Sequence, residues 1–510
     1  MKVNQLKVGV LLSYVNLFAH TIISLSYTPI MIRLLGQSEY GLYNTSASII
    51  NSLGILNFGF GSAYIRYYAK YKNKDNIEVD RINGIFILIF TIIGVIVLFS
   101  GYIIIKNIEV VYGDGLTQIE LNQARVLMAI MLVNLAISMP GSVFNSIITA
   151  HEQFFYQRML VLLKSILNPL LVLPLLLIGY KSIALVLIST VLTIGSFIFN
   201  IWYCKIKLNI KFRFDNLDYS LIKDMWGFSF FVFLHIIMDK INWQVDKLLL
   251  GRYQGTISVA VYSVGALLNS FYLQFSTAIS SVFVPRVHLL ISTKGAKGSK
   301  GISELFAKVG RIQFIVITYI LFSFVFFGKQ FILFWAGREY EISYYVALLL
   351  MFPLVLPLTQ NLGLEILRAK NIHKVRAIIN FFISLGNIVI TIPLCIRYGA
   401  IGAALGTTIS TTIGAAIISN IYYQKIAGID IIYFLSQLVK ILPSLVPPLA
   451  VGVYINRFVQ INLFINFVIS ASVYTLIYFI SIWILGMNTY EKQLINMSIN
   501  KIWNIWAKRR

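Results

Sequence analysis

The stretch Phe231-Val-Phe-Leu-His-Ile-Ile-Met-Asp-Lys-Ile-Asn-Trp-Gln-Val-Asp-Lys247 sets two acid–base pairs, a histidine and a tryptophan in an otherwise apolar run. At 100° per residue, His235, Asp239, Lys240, Trp243, Asp246 and Lys247 fall within roughly a 120° arc of one helix. Asp246 and Lys247 lie about 10 Å further along the axis than Asp239 and Lys240, at 1.5 Å per residue. The chemistry on offer is recognition of charge. An ammonium at Lys240 or Lys247 attracts an anion such as a pyrophosphate or an acidic sugar. Trp243 can stack on a sugar ring or hold a cation. Asp239, Asp246 and His235 are the groups able to bind a coupling cation or a proton. The plainer alternative is local compensation between neighbouring charges, with Lys247 snorkelling to a surface.

Further polar stripes lie on other apolar segments. Ser13, Asn16, His20, Ser24 and Tyr27 share an arc of about 80°. Asn44, Ser48 and Asn51 line up on a second segment, and Asn269, Tyr272, Ser276 and Ser280 on a third. A single hydroxyl on such a helix usually bonds a neighbouring helix. Whole stripes point instead to a shared cavity, so Asn16, His20, Asn51, Asn269 and Tyr272 join the candidate binding set. Glu365 and Arg368 are gate candidates or an ordinary interfacial pair. No H-E-x-x-H or G-x-S-x-G spacing occurs, and Lys294–Gly301 lacks the phosphate-loop spacing. Cys204 and Cys395 offer neither a disulfide framework nor a metal site and read as core residues.

These groups must be positioned by membrane helices. The chain has 510 residues, 58% hydrophobic and 12% charged, with a mean hydropathy of +0.80. A soluble domain carries about 25% charged residues. Uncharged blocks such as residues 84–105 exceed the ~20 residues that cross a bilayer. The blocks predict fourteen spans, near 8–32, 40–63, 83–105, 125–147, 159–179, 182–203, 226–250, 257–284, 312–328, 343–364, 377–396, 400–423, 439–456 and 461–486. Each ion at mid-helix costs about 2.5–3.5 kcal/mol on insertion scales, which partners or water must offset. With the N-terminus inside, inner joints and tails hold about 30 of the 42 Lys and Arg and outer joints about 8. The net charge of +23 therefore sets topology, with both termini cytoplasmic, and does not point to nucleic acid. Met1–Lys7 is polar, but the run that follows lacks a small-residue cleavage site, so no cleavable signal is expected.

The sequence also echoes itself at an offset of about 218 to 220 residues. Asn200-Ile-Trp-Tyr-Cys-Lys-Ile206 matches Asn420-Ile-Tyr-Tyr-Gln-Lys-Ile426. Pro140 with Ala150–Arg158 parallels Pro357 with Ala369–Arg376, and Ile50–Ser52 parallels Leu268–Ser270. Six spans per copy give both halves the same orientation, with a substrate path between them. The fold expected is an all-α integral membrane protein of about fourteen transmembrane helices. It comprises six-helix lobes over 1–215 and 216–430, an appended pair over 431–487 and a cytoplasmic amphipathic tail over 488–510. In that tail Ile495, Ile499, Ile502 and Trp506 share one side. Pro140, Pro353 and Pro357 favour kinks. Gly402-Ala-Ala-Leu-Gly406 is a face for close helix packing.

Three segments carry a family resemblance. Met31-Ile-Arg-Leu-Leu-Gly-Gln-Ser-Glu-Tyr-Gly-Leu-Tyr43 resembles the joint between the first two spans of bacterial polysaccharide flippases. Asp246-Lys-Leu-Leu-Leu-Gly251 followed by Val261-Tyr-Ser-Val264 resembles the second-half counterpart. Tyr398–Ser410 resembles the glycine-rich twelfth span. The family is the O-antigen and capsule flippase branch of the multidrug/oligosaccharidyl-lipid/polysaccharide (MOP) exporter superfamily. The resemblance implies two lobes around a cavity lined by spans one, two, seven and eight. It also implies alternating access and a polyprenyl-pyrophosphate-linked oligosaccharide as substrate, in a bacterial cytoplasmic membrane. The appended pair is similar to that of the lipid II flippase and sporulation-associated branches, where it can hold a lipid tail. The alternatives are a lipid II-type flippase, a drug/cation antiporter of the same fold, or a membrane glycan polymerase or ligase. An antiporter prefers an acidic cavity, and a polymerase a long outer loop, whereas the longest outer joint has about 20 residues. No enzymatic activity and no cofactor are expected, with a sodium or proton gradient as the candidate energy source. Partners expected are the lipid-linked oligosaccharide, membrane lipids and other polysaccharide-assembly membrane proteins, without nucleic acid.

Overall fold

A computed structural model of the chain describes residues 5–72, 76–215, 229–230, 232–234, 236–294, 299–370, 372–459 and 463–497. The described residues form helices joined by short turns and contain no strand. Apolar blocks in lipid must bond their backbone internally, and a helix does so within one segment. Ten helices are long and apolar enough to cross a membrane, or eleven when the bent pair Ile431–Val439 and Leu442–Phe458 counts as one span. This is a multi-pass membrane protein.

The expected count of fourteen differs for physical reasons. The second segment breaks at the 3-10 turn Leu53–Asn57, leaving helices Gln37–Ser52 and Phe60–Tyr71 that are each short. The stretch Ile378–Lys425 is counted once over 48 residues. Gly399 interrupts it with φ +56, a conformation that glycine adopts without steric cost. The seventh segment is described only in part. His235, residues 295–298 of the Gly-rich joint, and Ile499, Ile502 and Trp506 of the tail lie outside the described residues.

One compact unit comprises Met1–Ser263 with Asn380–Gly406. At its centre the helix Gln118–Ala150 packs against Asn76–Lys106 and Lys181–Ile206, while Gln5–Leu35 lies along Phe154–Ile178. Phe86, Phe90, Tyr64, Leu127, Phe144 and Ile147 form its buried core. Residues 207–213 then cross this core as an irregular segment that turns at Asn209, whose φ is +50. Leu208, Ile210 and Phe212 pack on it, and Lys207, Lys211 and Arg213 are exposed between them. The Arg213 N–H donates to the Asp80 carbonyl at 3.0 Å, and Asn83 Nδ2 to the Lys211 carbonyl at 3.1 Å. A Cβ at Gly84 would stand 1.9 Å from the Arg213 carbonyl oxygen, so this strap rests on helix backbone. Within the same unit, a Cβ at Gly402 would lie 1.9 Å from the Leu394 carbonyl oxygen, and one at Gly406 2.2 Å from Thr391 Oγ1. The small-residue face of residues 402–406 thus packs directly on the helix before it.

Between two helices of this unit sits His151. Its Nδ1 meets the Ile147 carbonyl at 2.9 Å and its Nε2 the Tyr68 hydroxyl at 2.9 Å. A carbonyl requires a proton on Nδ1, which leaves Nε2 to accept from Tyr68 in the neutral ring. Burial, aided by the charge of Lys72, holds the His151 pKa below its ordinary 6.5. The folded state therefore binds a proton less readily than the unfolded chain. This contribution is present above the ordinary value of 6.5 and is lost as the pH falls below it and through the lowered pKa of the folded state. Thermal unfolding at stepped pH is expected to show that loss in the native chain and less of it in His151→Asn.

The other unit comprises Val264–Ile379 with Thr407–Arg510. Its axis is the helix Ser299–Trp335, on which Ile431–Val439, Leu442–Phe458 and Phe464–Ser481 pack. Rings form much of the seam: Phe326 and Phe327 meet Tyr474 at 5.8 and 5.5 Å between centroids, and Phe334 meets Phe467 at 5.8 Å. The appended helices are thus packed into this unit's core. Pro353 and Pro357 fall where residues 342–359 divide into Ile342–Met351, Phe352–Leu354 and Val355–Thr359, as missing donors require.

Corresponding contacts recur in the two units. In the first, Asn200 Nδ2 donates to Asn145 Oδ1 at 3.0 Å, and Tyr203 stacks on Tyr156 with centroids 3.9 Å apart. In the second, Gln360 Nε2 donates to Asn420 Oδ1 at 2.7 Å, and the Arg376 guanidinium lies 5.0 Å from the Tyr423 ring centre. Asn200 and Asn420, Tyr203 and Tyr423, and Tyr156 and Arg376 are each 220 residues apart. The correspondence is partial: Asn145 and Gln360, which bond the two asparagines, are 215 residues apart, and a tyrosine ring in one unit stands where a guanidinium stands in the other.

Candidate functional site

The charged segment lies in the first unit. Residues 236–240 are α-helical, a π turn follows at Ile241–Val245, and the α-helix resumes as Asp246–Tyr253. A π turn inserts one residue into the 3.6 period and is most often found at functional sites. It also shifts Asp246 and Lys247 from the angular positions that a uniform helix gives them. Asp239 and Asn242 are exposed, Trp243 is 41% exposed, and Lys240 and Lys247 are half-buried. Asp246 is buried and accepts a hydrogen bond from the Tyr262 hydroxyl. Asn242 Oδ1 accepts from Ser384 Oγ at 3.2 Å, tying this helix to the 380–406 segment of the same unit.

Lys240 reaches across to the break in the second segment. Its Nζ lies 3.4 Å from the place a Cβ on Gly54 would occupy. Gly54 belongs to the 3-10 turn Leu53–Asn57, after which Phe58 and Gly59 take positive φ of 50° and 72°. Two segments therefore leave regular α geometry where the ammonium meets backbone, and Asn51 is exposed just before that break. The result is a cation with an exposed carboxylate and an exposed indole on the same helix.

The remaining candidates divide. On the helix Gln5–Leu35, His20 is exposed, whereas Asn16 Nδ2 donates to the Arg158 carbonyl at 2.9 Å and so joins two helices. Asn269 and Tyr272 belong to the other unit. Both are buried, and Asn269 Oδ1 and the Tyr272 hydroxyl have no hydrogen-bond partner among the described residues. Ser276 of that stripe is engaged: it donates to the Leu358 carbonyl at 2.6 Å and accepts from Asn361 Nδ2 at 2.7 Å. Glu365 and Arg368 pair at 2.7 Å one turn apart on the helix Asn361–Ala369. Among the described residues no group of three or more His, Cys, Asp or Glu side chains is placed to hold a metal ion.

Three charged residues escaped the sequence reading. Arg311 and Glu491 form an ion pair in the second unit with side chains only 4% and 3% exposed. Their 180-residue separation leaves no local pattern to find. Glu120 closes a capping box with Thr117, and T-x-x-E before an apolar run was the legible signal for it.

Residues 7–289 match the family model described as polysaccharide biosynthesis protein. The chain belongs to the polysaccharide biosynthesis protein family. No curated protein matches it. Among solved structures it is similar to the lipid II flippase MurJ in an inward closed conformation. The TM-score is 0.71 at 18% identity, covering 95% of this chain and 100% of that one. An inward-facing multidrug resistance MATE family transporter of the MOP superfamily gives 0.59 at 16% identity, covering 78% and 96%. The Vibrio cholerae MATE transporter VcmN gives 0.55 at 13%, covering 83% and 98%. The fold of this polysaccharide biosynthesis protein is that of MOP-superfamily transporters.

Proposed function

We propose that this polysaccharide biosynthesis protein is a flippase. On this reading it carries a polyprenyl-pyrophosphate-linked oligosaccharide across the bacterial cytoplasmic membrane by alternating access, for export of a cell-surface polysaccharide. The observation that carries the reading is Lys240, set at the paired breaks of the second and seventh segments with Asp239 and Trp243 exposed beside it. A lysine favours an anionic headgroup over a cationic drug. Trp243 offers a ring face to a sugar, and Lys247 is a second cation further along. Asn51 and His20 are exposed polar groups of the same unit; within the second unit, Asn269 and Tyr272 each carry a buried polar atom with no hydrogen-bond partner among the described residues. Asp239, Asp246 and His235 are the proposed coupling groups for a sodium or proton gradient.

The proposed architecture is fourteen spans, as two six-helix lobes with an appended pair and both termini cytoplasmic. Three features support it: the break at Gly399 within 48 residues, the broken second segment, and the skew of Lys and Arg. A 48-residue helix would be about 72 Å long, more than twice the ~30 Å hydrocarbon core. A lipid II-type substrate is the second reading, favoured by the 95% coverage of this chain in the match to MurJ.

The deciding measurement is the lipid-linked glycan that accumulates on the inner leaflet when the protein is depleted. Accumulation of one oligosaccharide-pyrophosphate lipid, reversed by re-expression, is the expected result. Accumulation of lipid II instead selects the second reading. Normal export without accumulation of either refutes the flippase.

A further inference from the structure

Ser38 opens the helix Gln37–Ser52, Thr256 opens the helix Gly255–Lys294, and the two residues are 218 apart, within the offset of the internal echo. Their hydroxyl oxygens lie 3.4 Å from each other. Both donate to one carboxylate oxygen, Glu120 Oε1, at 2.8 Å each. The other oxygen, Oε2, accepts from the Thr117 N–H and hydroxyl, each at 2.9 Å. The capping box thus fixes the carboxylate and leaves its free oxygen aimed at the first residues of the two equivalent helices.

The backbones around this carboxylate touch. A Cβ at Gly41 would stand 1.9 Å from the Thr256 carbonyl oxygen, and one at Gly115 would stand 2.2 Å from that of Gly251. Arg252 Nη1 donates to the Val110 carbonyl at 3.1 Å. On the far side, Glu39 Oε2 accepts from Ser182 Oγ at 2.6 Å. All of these groups belong to the first compact unit. The skew of Lys and Arg assigns this end of the spans to the outer face.

We propose that Glu120 is the latch of a closed outer gate, holding the first turns of these two equivalent helices together until transport parts them. The inference rests on the transporter reading above. Immediately around Glu120 the meeting groups are glycine backbone, hydroxyls and a carboxylate, while Leu248 packs on the apolar core further along. When these polar groups part, each meets water, which replaces its hydrogen bonds, so the net cost of parting them is small beside that of parting an equal apolar contact. A contact of this chemistry holds but can be released. Because Glu120 is already pinned by Thr117, it returns to the same position at each closure.

The test uses the full chain in membranes. Cys204 and Cys395 are buried, so introduced thiols react over a low background. Ser38→Cys with Thr256→Cys is expected to cross-link on oxidation and to stop transport, and reduction is expected to restore it. Complete cross-linking with unchanged transport overturns the gate, and so does failure to cross-link. Separately, Glu120→Ala is expected to raise labelling of Thr256→Cys by an impermeant thiol reagent about tenfold or more, with Glu120→Gln in between. Unchanged labelling overturns the latch. The cysteine pair keeps the gate testable if the Glu120 variants fail to fold. Labelling needs no knowledge of the cargo. A latch that responds while no glycan lipid accumulates on depletion leaves the gate standing and removes the flippase.

Discussion

Arg311→Ala is expected to be the most damaging single substitution to the second unit. Its guanidinium donates from Nε to Glu491 Oε1 at 2.6 Å and from Nη2 to Oε2 at 3.0 Å. It also reaches the Gln437 carbonyl at 2.6 Å and the Gly486 carbonyl at 2.7 Å. One side chain on the helix Ser299–Trp335 therefore fastens the last turn of Ile431–Val439, the end of the turn Ile482–Gly486 and Glu491 beyond it. Glu491 is positioned for this by its own cap, in which its N–H donates to Asn488 Oδ1 at 2.9 Å. Removing one member of a buried pair strands the other charge at a cost of about 3–5 kcal/mol. Thermal unfolding of purified protein should show a large fall for Arg311→Ala and for Glu491→Gln. Replacing both with apolar residues should recover most of it. Single variants as stable as the native chain would show that the pair is not a buried clamp.

The second large effect is on transport. Lys240→Ala is expected to slow appearance of the glycan lipid on the outer face by about 10–100-fold, which corresponds to a charge-assisted hydrogen bond of about 1.5–3 kcal/mol. Lys240→Arg should retain much of the rate, because the charge stays. Protein level and thermal stability should hold, since the ammonium sits against the backbone at a break and not in an apolar core. Native rates in Lys240→Ala at equal expression would remove Lys240 from the path.

How much of this was legible depends on whether a signal is local. The helical, membrane-spanning class follows from uncharged blocks, and the packing of Gly402 and Gly406 from their spacing. The charged segment was visible because ions in an apolar run are conspicuous. Its geometry was not, because a uniform 100° step takes no account of the π turn at Ile241–Val245. The break at Leu53–Asn57 carries a glycine but no proline, so the second segment read as continuous. Asn16 falls on the polar stripe, and its Nδ2 bonds a carbonyl of a neighbouring helix while its Oδ1 has no hydrogen-bond partner among the described residues. An angular stripe tells which groups share a face, and only packing tells what that face meets. Arg311 fell at the edge of a predicted span and was counted as one more inner cation. Its partner lies 180 residues away, beyond the reach of any periodicity.

The composition of the first compact unit bears on how the chain is made. Ser263 and Asn380 both belong to it, and Gly406 completes it. When residue 263 has been synthesised, Asn242 still lacks Ser384, and Gln254 lacks the Ile396 carbonyl to which its Nε2 donates at 2.9 Å. The 143 residues from Ser263 to Gly406 take roughly 7–29 s to translate at ~5–20 residues per second. For that interval the charged segment waits in the membrane with its side-chain amides unmatched. The unit stays half-built until its last stretch of sequence, Asn380–Gly406, is made, and only that arrival lets the first part of the chain finish folding.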